Sequence, residues 1–403
     1  MAIKYLAGER IQGTAAERAA LTTANYDGTD YKLIKRVPVG SGGSDDMDTG
    51  TIAAKDNLMV IWHRLNDGTA DGKMTFNGDG SNSSYTRRYV HKSQNGSLDE
   101  YNNVQKETDK MNVYYNDTDP NFVVMWIKNK ASDPKVMTYQ AIDQGTETVS
   151  GGNNSKLPKA HIGGGVWNPS SHSAITRIRI ENSGSGSFAE GSELIVLGCD
   201  DDETTTTGAN ASPPHTDEVF WRSMASETLS SDSTEIRVPA SGSDFDPKKY
   251  MMFSFQGRQG DTNSRDYYLR FNDDSTSNSC NYIHWDSGLS DGEGGSTQGS
   301  GNHQNGADNI KIGVGGGEGR YVVATGFILN YYDGTNKSDK LIIMKRNRYD
   351  EDASDGIDSN TWLFGKQTKD IANQITSMNV KRDNSGSYLL ESEHTRFVVW
   401  GSD

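Results

Sequence analysis

The chain has 403 residues, a formal net charge of −15, 33% hydrophobic residues, 44 glycines and a mean hydropathy of −0.75. The length allows two or three domains of roughly 100–200 residues each. The 7 Trp, 18 Tyr and 11 Phe are too many large apolar groups for a disordered chain, and the acidic balance disfavours both nucleic acid and anionic lipid as partners.

At the N-terminus, "MAIKYLAGERIQGTAAERAALTT" has no apolar run of signal-peptide type, and no stretch approaches the length of a membrane-spanning helix. The expectation is synthesis in a cytoplasm and, for any extracellular role, release of assembled particles by lysis. Residues 1–24 read as a polar arm, with one short helix expected over Gly13–Thr23. A short apolar run, "DNLMVIWHRL" (Asp56–Leu65), precedes the phrase "MTFNGDGSNSSY" (Met74–Tyr85). A strand ending in Phe and followed by Asn-Gly-Asp-Gly predicts a tight hairpin with positive φ at successive residues. The competing reading is a calcium or sugar loop built from oxygens of Asn77, Asp79, Asn272, Asp273 and Asp274, but the spacing lacks the terminal Glu of a calcium-binding helix–loop–helix site.

"NFVVMWIKNKASDPKVMTY" (Asn121–Tyr139) reads as a strand, a polar turn and a second strand. "HIGGGVW" (His161–Trp167) reads as a flexible loop entering a strand. "ITRIRIEN" alternates cleanly, as suits a sheet with one buried face. "CDDDETTTTGANASPPHT" (Cys199–Thr216) combines an acidic run, a Thr tract and Pro-Pro, and reads as a stiff, solvated linker.

Beyond it the same elements recur. "KKYMMFSFQG" (Lys248–Gly257) precedes "LRFNDD" (Leu269–Asp274), and "YVVATGFILNYYDGTNKSDKLIIMK" (Tyr321–Lys345) parallels the earlier strand pair. "QITSMNVKRDNSGSY" (Gln374–Tyr388) matches "AITRIRIENSGSGSF" (Ala174–Phe188), and "SEHTRFVVWG" matches "SELIVLG". The offsets are 195 (271 − 76), 200 (375 − 175) and 203 (401 − 198), a colinear drift that chance does not produce. The expected fold is all-β: two tandem antiparallel β-sandwich, jelly-roll-like domains over about residues 25–198 and 217–403, with the arm before them and the linker 199–216 between. One helical turn is expected over Lys366–Thr376.

Chemistry-bearing motifs are weak. "IGVGGGEGR" (Ile312–Arg320) lacks the register and Lys-Ser/Thr of a phosphate loop and reads as a loop entering a strand. Asp350, Asp352, Asp355 and Asp358 are candidate Ca2+ ligands within a stretch that also reads as a solvated acidic loop. Trp285, Tyr282 and Tyr332, with Tyr331, Tyr85 and Tyr89, are candidates for stacking on a sugar, and equally for strand core. The eight histidines are scattered, with no HExxH and no GxSxG. No polar constellation is read in both halves, so the expectation is a non-enzymatic protein without a cofactor, structural Ca2+ aside. Cys199 and Cys280 occupy different places in the two halves and do not form a repeated disulfide.

Taken together, "KYLAGERIQGTAAER", "FNGD…NSSY", "FNDD…NY", "AITRIRIENSGSGSFAEGSELIVLG" and "QITSMNV…GSY…FVVWG" resemble tandem β-sandwich virion structural proteins of tailed viruses of marine bacteria and archaea. The resemblance covers the arm and both repeats. It departs at His394–Phe397 and at the long Gly/Ser/Asn-rich loop Gly288–Gly306. What it implies is a virion protein, exposed as head decoration, fibre or tail component, that associates with itself and with other virion proteins through the arm and the sandwich edges. The acidic charge and the lack of a long apolar stretch add the expectation of no nucleic-acid partner and no membrane insertion. Two alternatives follow from the same residues: a capsid-shell subunit with a double jelly roll, and a glycan-binding host-attachment module or adhesin.

Overall fold

In the computed structural model, the residues described are 31–67, 71–81, 83–92, 100–113, 119–145, 158–201, 220–240, 242–258, 266–274, 280–288, 303–307, 310–314, 320–331, 339–350, 357–367, 373–382 and 390–403. The arm, the tract 202–219, the 351–356 part of the acidic stretch and Tyr332 therefore lie outside them.

Two compact units are present. Among the described residues the first holds β1 (Lys32–Pro38), β2 (Asp46–Asp48), β3 (Asn57–Arg64), β4 (Asn66–Asp67), β5 (Gly72–Phe76), β6 (Tyr85–Lys92), β7 (Glu100–Thr108), β8 (Met111–Asn112), β9 (Asn121–Lys128), β10 (Lys135–Asp143), β11 (Ala160–Trp167), β12 (Ile178–Asn182), β13 (Ser187–Phe188) and β14 (Glu193–Cys199). The second holds β15 (Arg222–Thr228), β16 (Glu235–Val238), β17 (Tyr250–Arg258), β18 (Asp266–Phe271), β19 (Cys280–Gly288), β20 (His303–Ala307), β21 (Ile310–Val314), β22 (Arg320–Leu329), β23 (Lys340–Asp350), β24 (Ile357–Gln367), β25 (Met378–Arg382) and β26 (Arg396–Ser402).

The first unit pairs its strands as an eight-stranded sheet, β1-β14-β3-β9-β10-β11-β6-β7, a four-stranded one, β2-β12-β5-β8, and a small two-stranded one, β13-β4. The second unit has an eight-stranded sheet, β15-β26-β17-β22-β23-β24-β19-β20, and a four-stranded one, β16-β25-β18-β21. Each position in the long- and short-sheet orders of one unit has its counterpart in the other. In each unit one core fills the space between the two sheets. Leu58, Val60, Trp62, Val123 and Met125 from the long sheet meet Met47, Met74, Phe76, Ile178 and Ile180 from the short one. Met251, Phe253, Phe255 and Val399 meet Ile236, Val238, Leu269, Met378 and Val380 in the second unit. The alternation in "ITRIRIEN" is that of β12, with Ile178 and Ile180 fully buried and Arg179 outside. Central long-sheet strands read instead as unbroken apolar runs, because Met59, Ile61, Val124, Ile195 and Leu197, of the opposite parity, are buried as well.

Four sequence expectations are corrected. At the described ends of Lys366–Thr376 no helical turn forms, residues 368–372 lying outside the described ones: Lys366 and Gln367 end β24, and the backbone N–H groups of Ile375 and Thr376 are taken by side-chain oxygens of Asn330 and Asn272, at 2.8 Å each. "HIGGGVW" is no loop: it forms most of β11, inside the long sheet. Gly163 lies under the Tyr139 ring in cross-strand register, where an added Cβ would stand 2.5 Å from ring carbons, so the glycines make room for inward aromatic packing. Third, the sequence "CDDDE" is not wholly linker. Cys199 closes β14, Asp200 accepts from Lys55 Nζ at 2.7 Å, and Asp201 accepts from Lys128 and Lys130.

The fourth concerns the turn after Phe76. Asn77 and Gly78 have φ of 53° and 73°, Asn272 and Asp273 have 53° and 54°, and Asp79 N and Asp274 N donate back to Phe76 O and Phe271 O. The turn geometry is as expected, but the turn joins no hairpin. β5 pairs with β12 and β8, while β6 belongs to the long sheet, so the turn carries the chain from one layer to the other. Substituting Gly78→Ala is expected to destabilise the first unit by about 1 kcal/mol, the strain of a Cβ at positive φ, because the space there is open. Urea unfolding of that unit reads this.

Among the described residues no helix is long and apolar enough to cross a membrane. Both cysteines are buried.

Candidate functional site

The polar feature that recurs in both units is a pair of asparagines. Asn77, held at positive φ by the turn, accepts with Oδ1 from the N–H groups of Thr176 (2.8 Å) and Arg177 (3.1 Å) and donates with Nδ2 to Ala174 O (2.8 Å). Asn272 accepts from Thr376 N (2.8 Å) and Ser377 N (3.2 Å) and donates to Gln374 O (3.0 Å). From the opposite side Asn129, which follows β9, accepts from Ile175 N at 2.6 Å and donates to Lys55 O at 2.8 Å. Asn330, which follows β22, accepts from Ile375 N at 2.8 Å and donates to Lys248 O at 3.1 Å. The Ile-Thr segment leading into β12 or β25 is thus clasped from both sheets. This overturns the expectation that no polar constellation is repeated. The repeated one is spent on backbone groups, and its atoms are not offered to a ligand.

The loop oxygens behave alike. Asp79 Oδ2 accepts from Trp167 Nε1 at 2.8 Å and its Oδ1 from Ser81 N at 2.9 Å, while its backbone O accepts from Tyr85 O–H. Burial pushes the Asp79 carboxyl upward, but these hydrogen bonds together hold it below the ordinary carboxylate range. Asp273 faces Arg237 and Asn379. These oxygens diverge and do not converge on a cation site. Among the described residues no group of three or more His, Cys, Asp or Glu side chains is placed to hold a metal.

Two arrangements belong to one unit only. In the first, the inward face of β6 and β11 carries Arg87, Tyr89, His91 and His161. The His91 and His161 rings stack with centroids 4.4 Å apart, Tyr89 stacks on His161 at 5.5 Å, and the Arg87 guanidinium lies 4.2 Å from the Tyr89 centroid. Arg87 donates to Asn112 O. Burial holds His161 well below its ordinary pKa, helped by the neighbouring His91, Arg87 and Lys159 charges, and burial pushes Tyr139 beside them up to about 12. By strand register Thr361 and Met344 stand at the His161 and Tyr139 positions of the second unit. Arg87, Tyr89, Tyr139 and His161 are buried, and His91 is partly exposed.

In the second unit, the outer face of the short sheet forms a depression of about 680 Å³ lined by Arg237, Arg270, Lys381, Glu235, Asp273 and Asn379, with Leu229 at its margin. Alternation along β16, β25 and β18 puts these polar side chains outward while Ile236, Val380 and Leu269 face the core. Arg237 reaches Asp273 (2.9 Å) and Asp244 (3.3 Å), and Asn379 Nδ2 donates to Glu235 and Asp273, each at 2.8 Å. Arg270 Nε and Asn379 Oδ1 are buried atoms without a hydrogen-bond partner. In the first unit the same face carries Asp46, Asp48, Arg177, Arg179 and Glu181, joined by the pairs Arg177–Asp48, Arg179–Asp46 and Lys110–Glu181. The Arg177 hydrogen bonds to Asp48 hold that carboxyl below its ordinary range.

Of the aromatic candidates for a sugar, Tyr282, Tyr85, Tyr89 and Tyr331 are buried, Tyr282 being 2% exposed within the second core, so their ring faces are not offered to a ligand. Trp285 lies in β19, opposite Trp362, and Tyr332 lies outside the described residues. Among the candidate Ca2+ ligands, Asp350 ends β23 and Asp358 lies in β24, while Asp352 and Asp355 fall outside. Sequence reasoning passed over Arg270 and Asn379, since one Arg after a Tyr-Leu pair carries no motif.

No family model and no curated protein matches the chain. Among solved structures, the attachment invasion locus protein Ail of Yersinia pestis matches at 8% identity, with a TM-score of 0.11 over 82% of this chain and 100% of that one. Domains LG4-5 of the mouse laminin alpha1 chain match at 12% identity, with a TM-score of 0.13 over 92% of this chain and 95% of that one. At such scores neither likeness carries an argument.

Proposed function

We propose that the chain is a non-enzymatic structural subunit of a virion, exposed on the particle and assembling into a multimer. The observation that supports this most is the matched strand order of the two units together with the asparagine clasp common to both. What the duplication preserves is architecture, while the surface chemistry of the two short sheets differs. Two similar sandwiches in one chain double the contacts a subunit makes, which gives avidity from weak interfaces.

The long-sheet edges fit controlled assembly. The pairings that bind the edge strands β1, β7, β15 and β20 each contain a bulge or irregularity, at Leu33/Lys35, Tyr85/Arg87, Ser223/Ala225 and Cys280/Tyr282. Such edges resist indiscriminate strand addition and accept a partner that matches them. Residues 1–24 then serve as the contact arm, with other virion proteins and further copies as partners. The net charge of −15 opposes close approach of copies at low salt.

Light scattering and electron microscopy of the full chain at 150 mM salt test this. The expected result is a discrete multimer that falls to monomer when residues 1–24 are deleted. A full chain that stays monomeric at tens of micromolar in both forms overturns the proposal.

A further inference from the structure

We infer that the depression on the outer face of the short sheet in the second unit binds an acidic saccharide, the Arg270 guanidinium taking a uronate carboxylate and Asn379 Oδ1 accepting from a neighbouring hydroxyl. This inference goes beyond assembly and does not depend on it.

The argument starts from the contrast between the two units. Arg270 and Asn379 are directly opposed across β18 and β25, as Thr75 and Arg179 are across β5 and β12. In the first unit this face is closed by ion pairs, and the counterpart of Arg270 is a neutral Thr75. In the second, Arg237 and Glu235 find partners within the face, but Arg270 Nε–H and Asn379 Oδ1 do not. Asn379 is only 3% exposed, so its orphaned acceptor is an unusual and costly feature unless a ligand completes it.

Those two atoms define the ligand's chemistry: an anionic acceptor and a hydroxyl donor spaced by one cross-strand pair. The Nε edge of a guanidinium suits a planar carboxylate, which can accept two parallel hydrogen bonds. Glu235 and Asp273 on the same wall can accept from further hydroxyls. They also count against a polyphosphate or nucleic acid, because three carboxylates with Glu227 balance the three cations Arg237, Arg270 and Lys381. A singly charged sugar unit satisfies the face, whereas a dense polyanion meets carboxylates.

The test is calorimetric titration of the full chain with trigalacturonate, with maltotriose and with sodium acetate, at constant ionic strength. Trigalacturonate is expected to bind, and Arg270→Gln to weaken it about tenfold or more, the loss of a charge-assisted hydrogen bond. Arg270→Lys, which keeps the charge without the fork, is expected to recover part of that loss. Thermal unfolding of both variants reports whether the fold is intact. Maltotriose binding as tightly as trigalacturonate overturns the carboxylate role, and acetate binding as tightly overturns the saccharide. Absence of binding by all three, or trigalacturonate affinity unchanged in a folded Arg270→Gln, overturns the site and leaves Arg270 and Asn379 to bond each other.

Discussion

Asn330→Ala is expected to destabilise the second sandwich by about 3–5 kcal/mol while the first stays at its native stability. Asn330 is fully buried. Its Oδ1 accepts from Ile375 N at 2.8 Å, and its Nδ2 donates to Lys248 O at 3.1 Å and to Ile375 O at 3.3 Å. Truncation leaves a buried N–H and two carbonyls short of a partner, and each such group costs about 1–3 kcal/mol. No water replaces the amide cheaply, because Ile375 beside it is itself fully buried in the core. Asn129→Ala should reproduce the effect in the first sandwich, through Ile175. Hydrogen exchange followed peptide by peptide separates the two: protection of the β25 strand should fall for Asn330→Ala and protection of β12 for Asn129→Ala. Native protection at Ile375 in the Asn330 variant would show that the clasp does not hold the segment.

The clasp also marks where sequence reading reaches and where it stops. Strands and the duplication were legible because apolar, β-branched and aromatic runs recur in the same order at a slowly drifting offset. Positive φ after Phe76 and Phe271 was legible because Asn, Gly and Asp tolerate it. The pairing partner of β5 was not, since a turn's chemistry specifies a reversal and not the sheet that receives the chain. β11 was misread because three glycines normally weaken a strand, and only the rings of Tyr139 and the side chains of Met111 and Met137 across it explain them. Asn129 and Asn330 sit inside the two segments paired as repeats, "WIKNK" and "ILNYY", but a single Asn after a strand has no meaning until its carbonyl partners are known. Arg270 was invisible for the same reason: its interest is a missing partner, which only three-dimensional placement reveals.

Acidification should loosen the first sandwich selectively. His161 is 3% exposed, and its pKa is held well below 6.5 by burial first, then by the positive neighbours His91, Arg87 and Lys159. Tyr89 stacks on the same ring and brings no charge to balance a proton. The unfolded chain therefore binds a proton at His161 at a pH where the folded chain does not. Stability from this group is complete above about pH 6.5 and declines as pH falls below it, by about 1.4 kcal/mol per pH unit, until the folded imidazole itself titrates. Between about pH 7.5 and 4.5 stability should therefore fall as the unfolded chain takes up a proton at His161 that the folded chain resists. The second sandwich, with Thr361 at this place, supplies the internal reference. Hydrogen exchange across β6 and β11, compared with β19 and β24, should show protection falling with pH in the first pair beyond any fall in the second. His161→Phe, which preserves an aromatic ring against Tyr89, should remove most of that difference. A pH slope unchanged in His161→Phe, or equal in the two sandwiches, would assign the acid sensitivity to carboxylates common to both.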